Sequence, residues 1–439
     1  MIITISPSKA CGRIQAPPSK SMAHRLLICA GLSAGTSVIS NVDLSEDILA
    51  TLDCLRALGA KVTCKDSRVV IRGIDPAELS HPASLPCREC GSTLRFMIPV
   101  CLLSGQEIRL TGSRTLFTRP LGIYEDICTE QKLYFDKKGN SLAVAGKLTA
   151  GQYVLPGNVS SQFVTGLLLA LPLLQGDSTI RLLPPIESRP YINMTLHALS
   201  QFGIRTSLAA DRMLTDEAYD ADGKNESTGT VPDGAPGSPF LIHIPGRQRY
   251  MPRDLKVEGD YSNAAFFEAL NLLGGDVQVE GLDENSLQGD KIFRDCFRRL
   301  QEGFADVDLS DCPDLGPVLM AVAAALHGGR FTGTKRLKYK ESDRGAAMKQ
   351  ELGRMNVRVD LSENEILVHS GIRRPQEILD GHNDHRIVMA LAVLLSVTGG
   401  SLTGAEAVAK SLPDFFDIMS GLGIKISFDQ SQKQTHLYL

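Results

Sequence analysis

Six stretches of the chain repeat one pattern of polar and apolar positions. Each opens on small or polar residues, runs through a long apolar segment, closes on or near Gly, and is followed by a β-like stretch. They begin "SKSMAHRLL" at Ser19, "GSTLRFMIP" at Gly91, "SSQFVTGLL" at Ser160, "SNAAFFEAL" at Ser262, "PDLGPVLMA" at Pro313 and "NDHRIVMAL" at Asn383. Ser, Asn and Asp cap helix N-termini and Gly ends helices, so each stretch predicts a buried helix. More amphipathic helices come next, as in "SEDILATLDCLRALG" from Ser45, "SRPYINMTLHALSQFG" from Ser188, "SDRGAAMKQELGRM" from Ser342 and "LPDFFDIMSGLG" from Leu412. Strand pairs follow, such as "KVTCKDSRVVIRGI" and "RVDLSENEILVHSG". Strand, buried helix, strand, amphipathic helix, strand pair: six such copies predict an α/β fold that accounts for nearly the whole chain. Residues 216–239, polar and rich in Gly and Pro, read as a surface loop inserted in the third copy, without an assigned function.

Composition narrows the class. The 439 residues are 43% hydrophobic and 22% charged, which suits a soluble protein of two or three domains. A net charge of −4 gives no general attraction to nucleic acid or acidic membranes, so neither is expected as a partner. The longest apolar runs are too short to span a bilayer, and "MIITISPS" has no signal-peptide pattern, so the cytoplasm is the expected compartment. The ten cysteines are scattered. Cys29, Cys54 and Cys101 sit in apolar helical patterns, and the Cys87/Cys90 pair has no second ligand pair at metal-site spacing, so no metal is expected.

Chemistry enters through the helix openings. A helix N-terminus offers free N–H groups and a positive dipole end, which together bind phosphate or carboxylate. Cations stand just inside several of these openings: Lys20, Arg25, Arg95 and Arg386. Others stand where a second helix begins: Arg119, Arg189, Arg344 and Lys410. If the copies point one way, these groups gather around bound anions. Asp314 and Glu341 would repel such anions, which is the cost of keeping a proton carrier beside them. In "RLKYKESDRGAAM", Arg336 to Met348, the dense charge therefore reads as chemistry rather than as a wet helix face.

The motifs "PPSKSMAHR", "GSTLRF", "TRPLG", "SSQF", "ESRPYI", "VEGDYSNAAFF", "CPDLG", "KYKESDR", "NDHR" and "KSLPDFF", in this order, resemble the enolpyruvyl transferases, and within them the branch that acts on shikimate 3-phosphate. The resemblance implies two inside-out α/β barrel domains, each of three βαβαββ repeats, joined by crossovers near Pro17–Pro18 and Val257–Glu258. It divides the chain into 19–257 and 1–18 plus 258–439, so that the first strand belongs with the C-terminal half. The reaction implied moves the enolpyruvyl group of phosphoenolpyruvate to the 5-hydroxyl of shikimate 3-phosphate, releasing phosphate, on the route to chorismate and the aromatic amino acids. No metal or organic cofactor is implied, and a monomer is expected.

Carried over position by position, Lys20, Ser21, Arg25, Ser160, Ser161, Gln162, Ser188, Asp314 and Lys340 would contact shikimate 3-phosphate. Lys20, Gly91, Arg119, Gln162, Arg344, Arg386 and Lys410 would contact phosphoenolpyruvate. Asp314, Glu341 and Lys20 would move protons, with Asp314 taking the hydroxyl proton and the division between Glu341 and Lys20 open. Three stretches depart from residues that many members of the family carry: Glu89-Cys90-Gly91-Ser92 for Asn-Ala-Gly-Thr, Phe96 for Pro, and Arg336 for Asn. Two other readings compete. One is the sister enzyme for UDP-N-acetylglucosamine, which carries a Cys in the loop that here reads "GSRTLFTRP". The other is a non-catalytic anion-binding protein on the same fold, against which Asp314, Glu341 and His385 argue.

Overall fold

The computed structural model describes residues 1–210 and 239–429. All of the insertion read at 216–239 except its last residue lies outside them. The chain forms two compact units, Lys20–Val257 and Met1–Ser19 together with Glu258 onward.

In the first unit, three four-stranded sheets each repeat one order. The third copy shows it plainly. Strands Gln152–Pro156 and Ser178–Leu183 are parallel and joined through the helix Ser161–Ala170. Phe240–Ile244 then pairs antiparallel with the second strand, and Ser207–Ala210 with Phe240–Ile244. The second copy is built the same way on the helix Gly91–Cys101. In the first copy the leading strand, Asp254–Lys256, arrives from the far end of the unit and pairs parallel with Thr36–Ser40.

The second unit closes on itself in the same manner. Its last sheet is completed by Ile2–Ser6, which lies antiparallel between Gly400–Thr403 and Lys425–Phe428. The fourth copy departs from the six-copy reading. It has two parallel strands, Cys11–Gln15 and Asp276–Glu280, and no following strand pair. Its second helix, Phe293–Glu302, leads within two residues into strand Ala305–Asp308, so the chain has no length left there for a pair.

The layering explains the sequence pattern. Strands such as Arg68–Arg72 alternate exposed and buried positions, one face wet and one on the core. The helices behind them are largely enclosed: every residue from His385 to Ser396 is buried. A helix enclosed by sheets and other helices is apolar nearly all round; the fourth, Tyr261–Leu272, is the least enclosed, with Glu268 half-buried and Asn271 exposed. Among the described residues no helix is long and apolar enough to cross a membrane.

Close helix packing in the first unit rests on Gly166. Helices Gly91–Cys101 and Ser161–Ala170 approach so nearly that a Cβ at Gly166 would fall on the Tyr124 hydroxyl and 2.6 Å from the Arg95 carbonyl. That hydroxyl donates to the carbonyls of Arg95 (2.8 Å) and Phe163 (3.2 Å), tying the two helices together. Gly166→Ala should therefore destabilise the protein by about 1–3 kcal/mol, the usual cost of overpacking a dense core. Urea unfolding of the two proteins measures it; equal midpoints would mean that the helices have room to part.

Candidate active site

In the first unit, four buried or half-buried helices present their N-terminal turns to a common cluster of cations. Arg25 stands in the second turn of Lys20–Gly31 and is 3% exposed. Its guanidinium donates to Thr195 Oγ1 (2.8 Å), to the carbonyls of Ser21 (2.6 Å) and Tyr191 (3.0 Å), and to Thr165 Oγ1 (3.4 Å). Those partners lie on helices Ser161–Ala170 and Arg189–Gln201 as well as on its own. Arg95 donates to Gln162 Oε1 (2.7 Å) and the Pro120 carbonyl (3.0 Å), and Gln162 donates in turn to Ser92 Oγ (2.9 Å). Arg119 packs against the start of Gly91–Cys101, where any Cβ at Gly91 would press on its guanidinium.

Arg25 and Arg95 lack a carboxylate partner among the described residues. Burial pushes each guanidinium down to about 10. Arg119 Nε is buried and has no hydrogen-bond partner among the described residues. Positive charge held out of water by neutral oxygens alone invites an anion. Ser160 caps Ser161–Ala170 by accepting from Gln162 N at 3.3 Å, Ser161 is buried at the first turn, and Ser188 opens Arg189–Gln201 with a left-handed φ of 57°. Lys20 is the exception in this cluster, because its Nζ lies 2.8 Å from Asp47 Oδ2.

Around Lys20 the residues His24, Asp47 and Cys90 come close enough to suggest a metal site. Each donor is committed within the protein: His24 Nδ1 bonds Thr51 Oγ1 at 2.8 Å, Asp47 holds Lys20, and Cys90 Sγ accepts from Thr93 N at 3.3 Å as the cap of its helix. Cys90 thus serves as an N-cap. Phe96 lies under the Arg25 guanidinium at 5.4 Å and edge-on to His24.

The second unit compensates its cations. Asp314 opens the helix Gly316–Ala325 and is surrounded by three of them. Lys340 Nζ is 3.1 Å and Arg344 Nη1 2.8 Å from Oδ1, and Arg386 Nη2 is 3.3 Å from Oδ2. Burial would raise the Asp314 carboxyl, but Arg386, Lys340 and Arg344 outweigh it and hold the group well below the usual carboxylate range. Lys340 is pushed down to about 8 by burial against the pull of Asp314, with Arg344 and Arg336 pushing further down.

Asp384 has the second grip on Arg344, with Oδ2 2.8 Å from Nε; both side chains are buried. It also caps the helix His385–Thr398 by accepting from Arg386 N at 2.9 Å, and accepts from Ser342 Oγ at 3.1 Å. Glu341 Oε2 lies 2.8 Å from His385 Nδ1. Arg386 reaches back to Ser262 Oγ, and Lys410 Nζ donates to the Asn383 carbonyl at 2.7 Å. Glu341, Asp384 and His385 form a second close trio.

The positions carried over from the resemblance divide between the two units. Lys20, Ser21, Arg25, Gly91, Arg119, Ser160, Ser161, Gln162 and Ser188 belong to the first, and Asp314, Lys340, Glu341, Arg344, Arg386 and Lys410 to the second. Sequence reasoning passed over Asp47, Thr165, Thr195 and Asp384. Asp384 had a signal, since an Asp directly before an apolar helical run is a capping residue; the threonines, lying inside helices, had none.

Comparison with known proteins adds the following. A family model described as "EPSP synthase (3-phosphoshikimate 1-carboxyvinyltransferase)" matches residues 5–219 and 235–419. A 3-phosphoshikimate 1-carboxyvinyltransferase of Clostridium kluyveri is 38% identical over 97% of this chain and 98% of its own length. One of Clostridium perfringens is 36% identical over 96% and 98%. The solved structure of an EPSP synthase from Acinetobacter baumannii superposes with a TM-score of 0.72 at 21% identity, covering 97% of this chain and all of that one.

His24 gives the first cluster a pH signature. Burial pushes its imidazole down to about 3, Asp47 opposing and Lys20 and Arg25 reinforcing. The unfolded chain takes up that proton near pH 6.5, so the folded state binds fewer protons between the two values. The resulting stability is full above about pH 6.5 and falls on acidification towards 3, by up to about 1.4 kcal/mol per pH unit. His24→Gln, which cannot titrate but still reaches Thr51, should lose less stability than the parent between about pH 7.5 and about pH 5.5 in urea unfolding. An equal loss in both would assign the acid sensitivity to other groups.

Proposed function

The chain belongs to the EPSP synthase family, the 3-phosphoshikimate 1-carboxyvinyltransferases, and from that premise we propose how its own residues carry the reaction. The protein transfers the enolpyruvyl group of phosphoenolpyruvate to the 5-hydroxyl of shikimate 3-phosphate and releases phosphate. The hydroxyl oxygen bonds to C2 of phosphoenolpyruvate while C3 gains a proton. The tetrahedral adduct then breaks its C2–phosphate oxygen bond and gives up a proton from C3, leaving the enol ether.

Between them the two substrates carry two carboxylates and two phosphates. Lys20, Ser21, Arg25, Ser160, Ser161, Gln162 and Ser188 in the first unit, and Asp314 and Lys340 in the second, take shikimate 3-phosphate in this reading. Lys20, Gly91, Arg119 and Gln162, with Arg344, Arg386 and Lys410, take phosphoenolpyruvate. The observation that carries the assignment is the contrast in charge compensation. Among the described residues the hydrogen bonds of Arg25 go to neutral oxygens alone, so a substrate anion supplies the missing charge.

Asp314 is ionised and held by three cations, which makes it a weak base as it stands. Substrate anions that draw Arg344 and Arg386 away raise its basicity at the moment the 5-hydroxyl must lose its proton. Glu341, paired with the imidazole of His385, and Lys20, paired with Asp47, are the groups for the C3 proton. We also place the protein in the cytoplasm as a monomer, in keeping with its net charge of −4 and its lack, among the described residues, of a membrane-length apolar helix.

Two measurements test this. The purified protein should release phosphate from phosphoenolpyruvate with shikimate 3-phosphate and not with UDP-N-acetylglucosamine; the reverse preference would refute the reading. Asp314→Asn and Glu341→Gln should each keep the fold and lower kcat by roughly 10²–10⁴, the range for losing one general acid or base. Substrate binding should hold or tighten, because each change removes a negative charge beside bound anions. Unchanged kcat with much weaker binding would make the residue a contact instead of a proton carrier.

A further inference from the structure

The buried carboxylate of Glu351 lies one step behind the second cluster. It projects from the helix Arg344–Arg354, is fully buried, and was not singled out from the sequence. Its Oε1 lies 2.9 Å from His382 Nε2, and its Oε2 accepts from Asp380 N at 2.9 Å and from Arg354 Nη1 at 3.0 Å. One carboxylate therefore grips both ends of the turn 380–382. Asp380 adds a third hold, its Oδ1 accepting from His382 N at 2.8 Å.

That turn launches the residues read above as chemistry. His382 and Asn383 have φ values of 50° and 51°, two consecutive left-handed residues that are not Gly. Such a pair persists only where its surroundings over-determine it. On its inner side Gly381 N donates to the Thr403 carbonyl at 3.0 Å, and a Cβ at Gly381 would lie 2.8 Å from that oxygen. On its outer side Lys410 Nζ holds the Asn383 carbonyl at 2.7 Å. Asp384 and Arg386 follow directly. The direction in which Arg386 leaves the backbone, and the carbonyl that seats Lys410, are thus fixed by a left-handed turn whose outer anchor is the His382–Glu351 bond.

We propose that the buried Glu351 and the half-buried His382 form a clamp that positions Arg386 and Lys410 for phosphoenolpyruvate while touching neither substrate. The assignment rests on the reading of those two cations as phosphoenolpyruvate contacts. The charges facing His382 agree with it: Glu351 and Asp380 raise its imidazole, burial and Arg354 oppose, and the net shift is upward, towards the charged form that Glu351 holds best.

The clamp predicts a selective defect. His382→Phe removes the donor to Glu351, so the KM for phosphoenolpyruvate should rise about 10-fold through misplacement of groups that bind it. The KM for shikimate 3-phosphate and the thermal midpoint should stay close to those of the parent. His382→Gln, which can still donate to Glu351, should restore the KM to within about twofold. If His382→Phe does not fold, Glu351→Gln, which keeps an acceptor for Asp380 N and drops the charge, should show the same selective rise. A stable variant with unchanged KM for phosphoenolpyruvate, a KM that rises equally for both substrates, or a Gln variant as impaired as Phe would each overturn the clamp. Arg386→Ala, measured beside them, separates the two levels. If it leaves the KM for phosphoenolpyruvate unchanged, the underlying contact reading fails; if it raises that KM while His382→Phe does not, only the clamp fails.

Discussion

The structure turns on one constraint: a guanidinium taken out of water must find negative charge or oxygen on every side. Arg344 satisfies it with protein groups, clasped by Asp384 through Nε and by Asp314 through Nη1. Arg25 satisfies it with hydroxyls and carbonyls, which accept its hydrogen bonds without neutralising it. The difference divides the labour. The second unit holds a preformed, nearly neutral lattice of carboxylates and cations, in which proton affinity can be tuned. The first unit holds unneutralised charge, the ordinary condition of an anion-binding surface.

That lattice also explains how carboxylates can serve beside anionic substrates. An isolated Asp314 would repel a phosphate. Ringed by Lys340, Arg344 and Arg386, it has its charge offset by the cations that touch it. The same ring keeps its proton affinity low until something draws the cations off. Lys340, pushed down to about 8, stands close enough to neutral pH for modest changes around it to alter its charge. Arg336 contributes to that shift.

The fold supplies the geometry at small cost. Enclosing apolar helices behind sheets points several N-termini the same way, and each brings partial positive charge and free N–H groups. Gly166 and Gly91 are the close approaches that permit this, one between two helices and one between a helix start and Arg119. The strand Ile2–Ser6 completing the last sheet of its unit, and Asp254–Lys256 opening the first sheet of the other, leave each unit closed despite the interrupted chain.

What the sequence determined by itself was whatever depends on neighbours along the chain. Capping residues, apolar runs and terminal glycines located the six buried helices, and the order of the motifs identified the family. The missing strand pair of the fourth copy could have been found too, because only two residues separate Phe293–Glu302 from the next strand. Only the tertiary structure decided which charges meet. Arg344 and Asp384 stand 40 residues apart, Arg25 and Thr195 170, Glu351 and His382 31. Nothing local distinguishes Thr165 or Thr195 from other threonines in a helix, or Glu351 from a surface glutamate. Their roles arise where helix packing brings a polar atom to a buried charge, and the free energy that selects such a pairing exists only once water has been excluded from it.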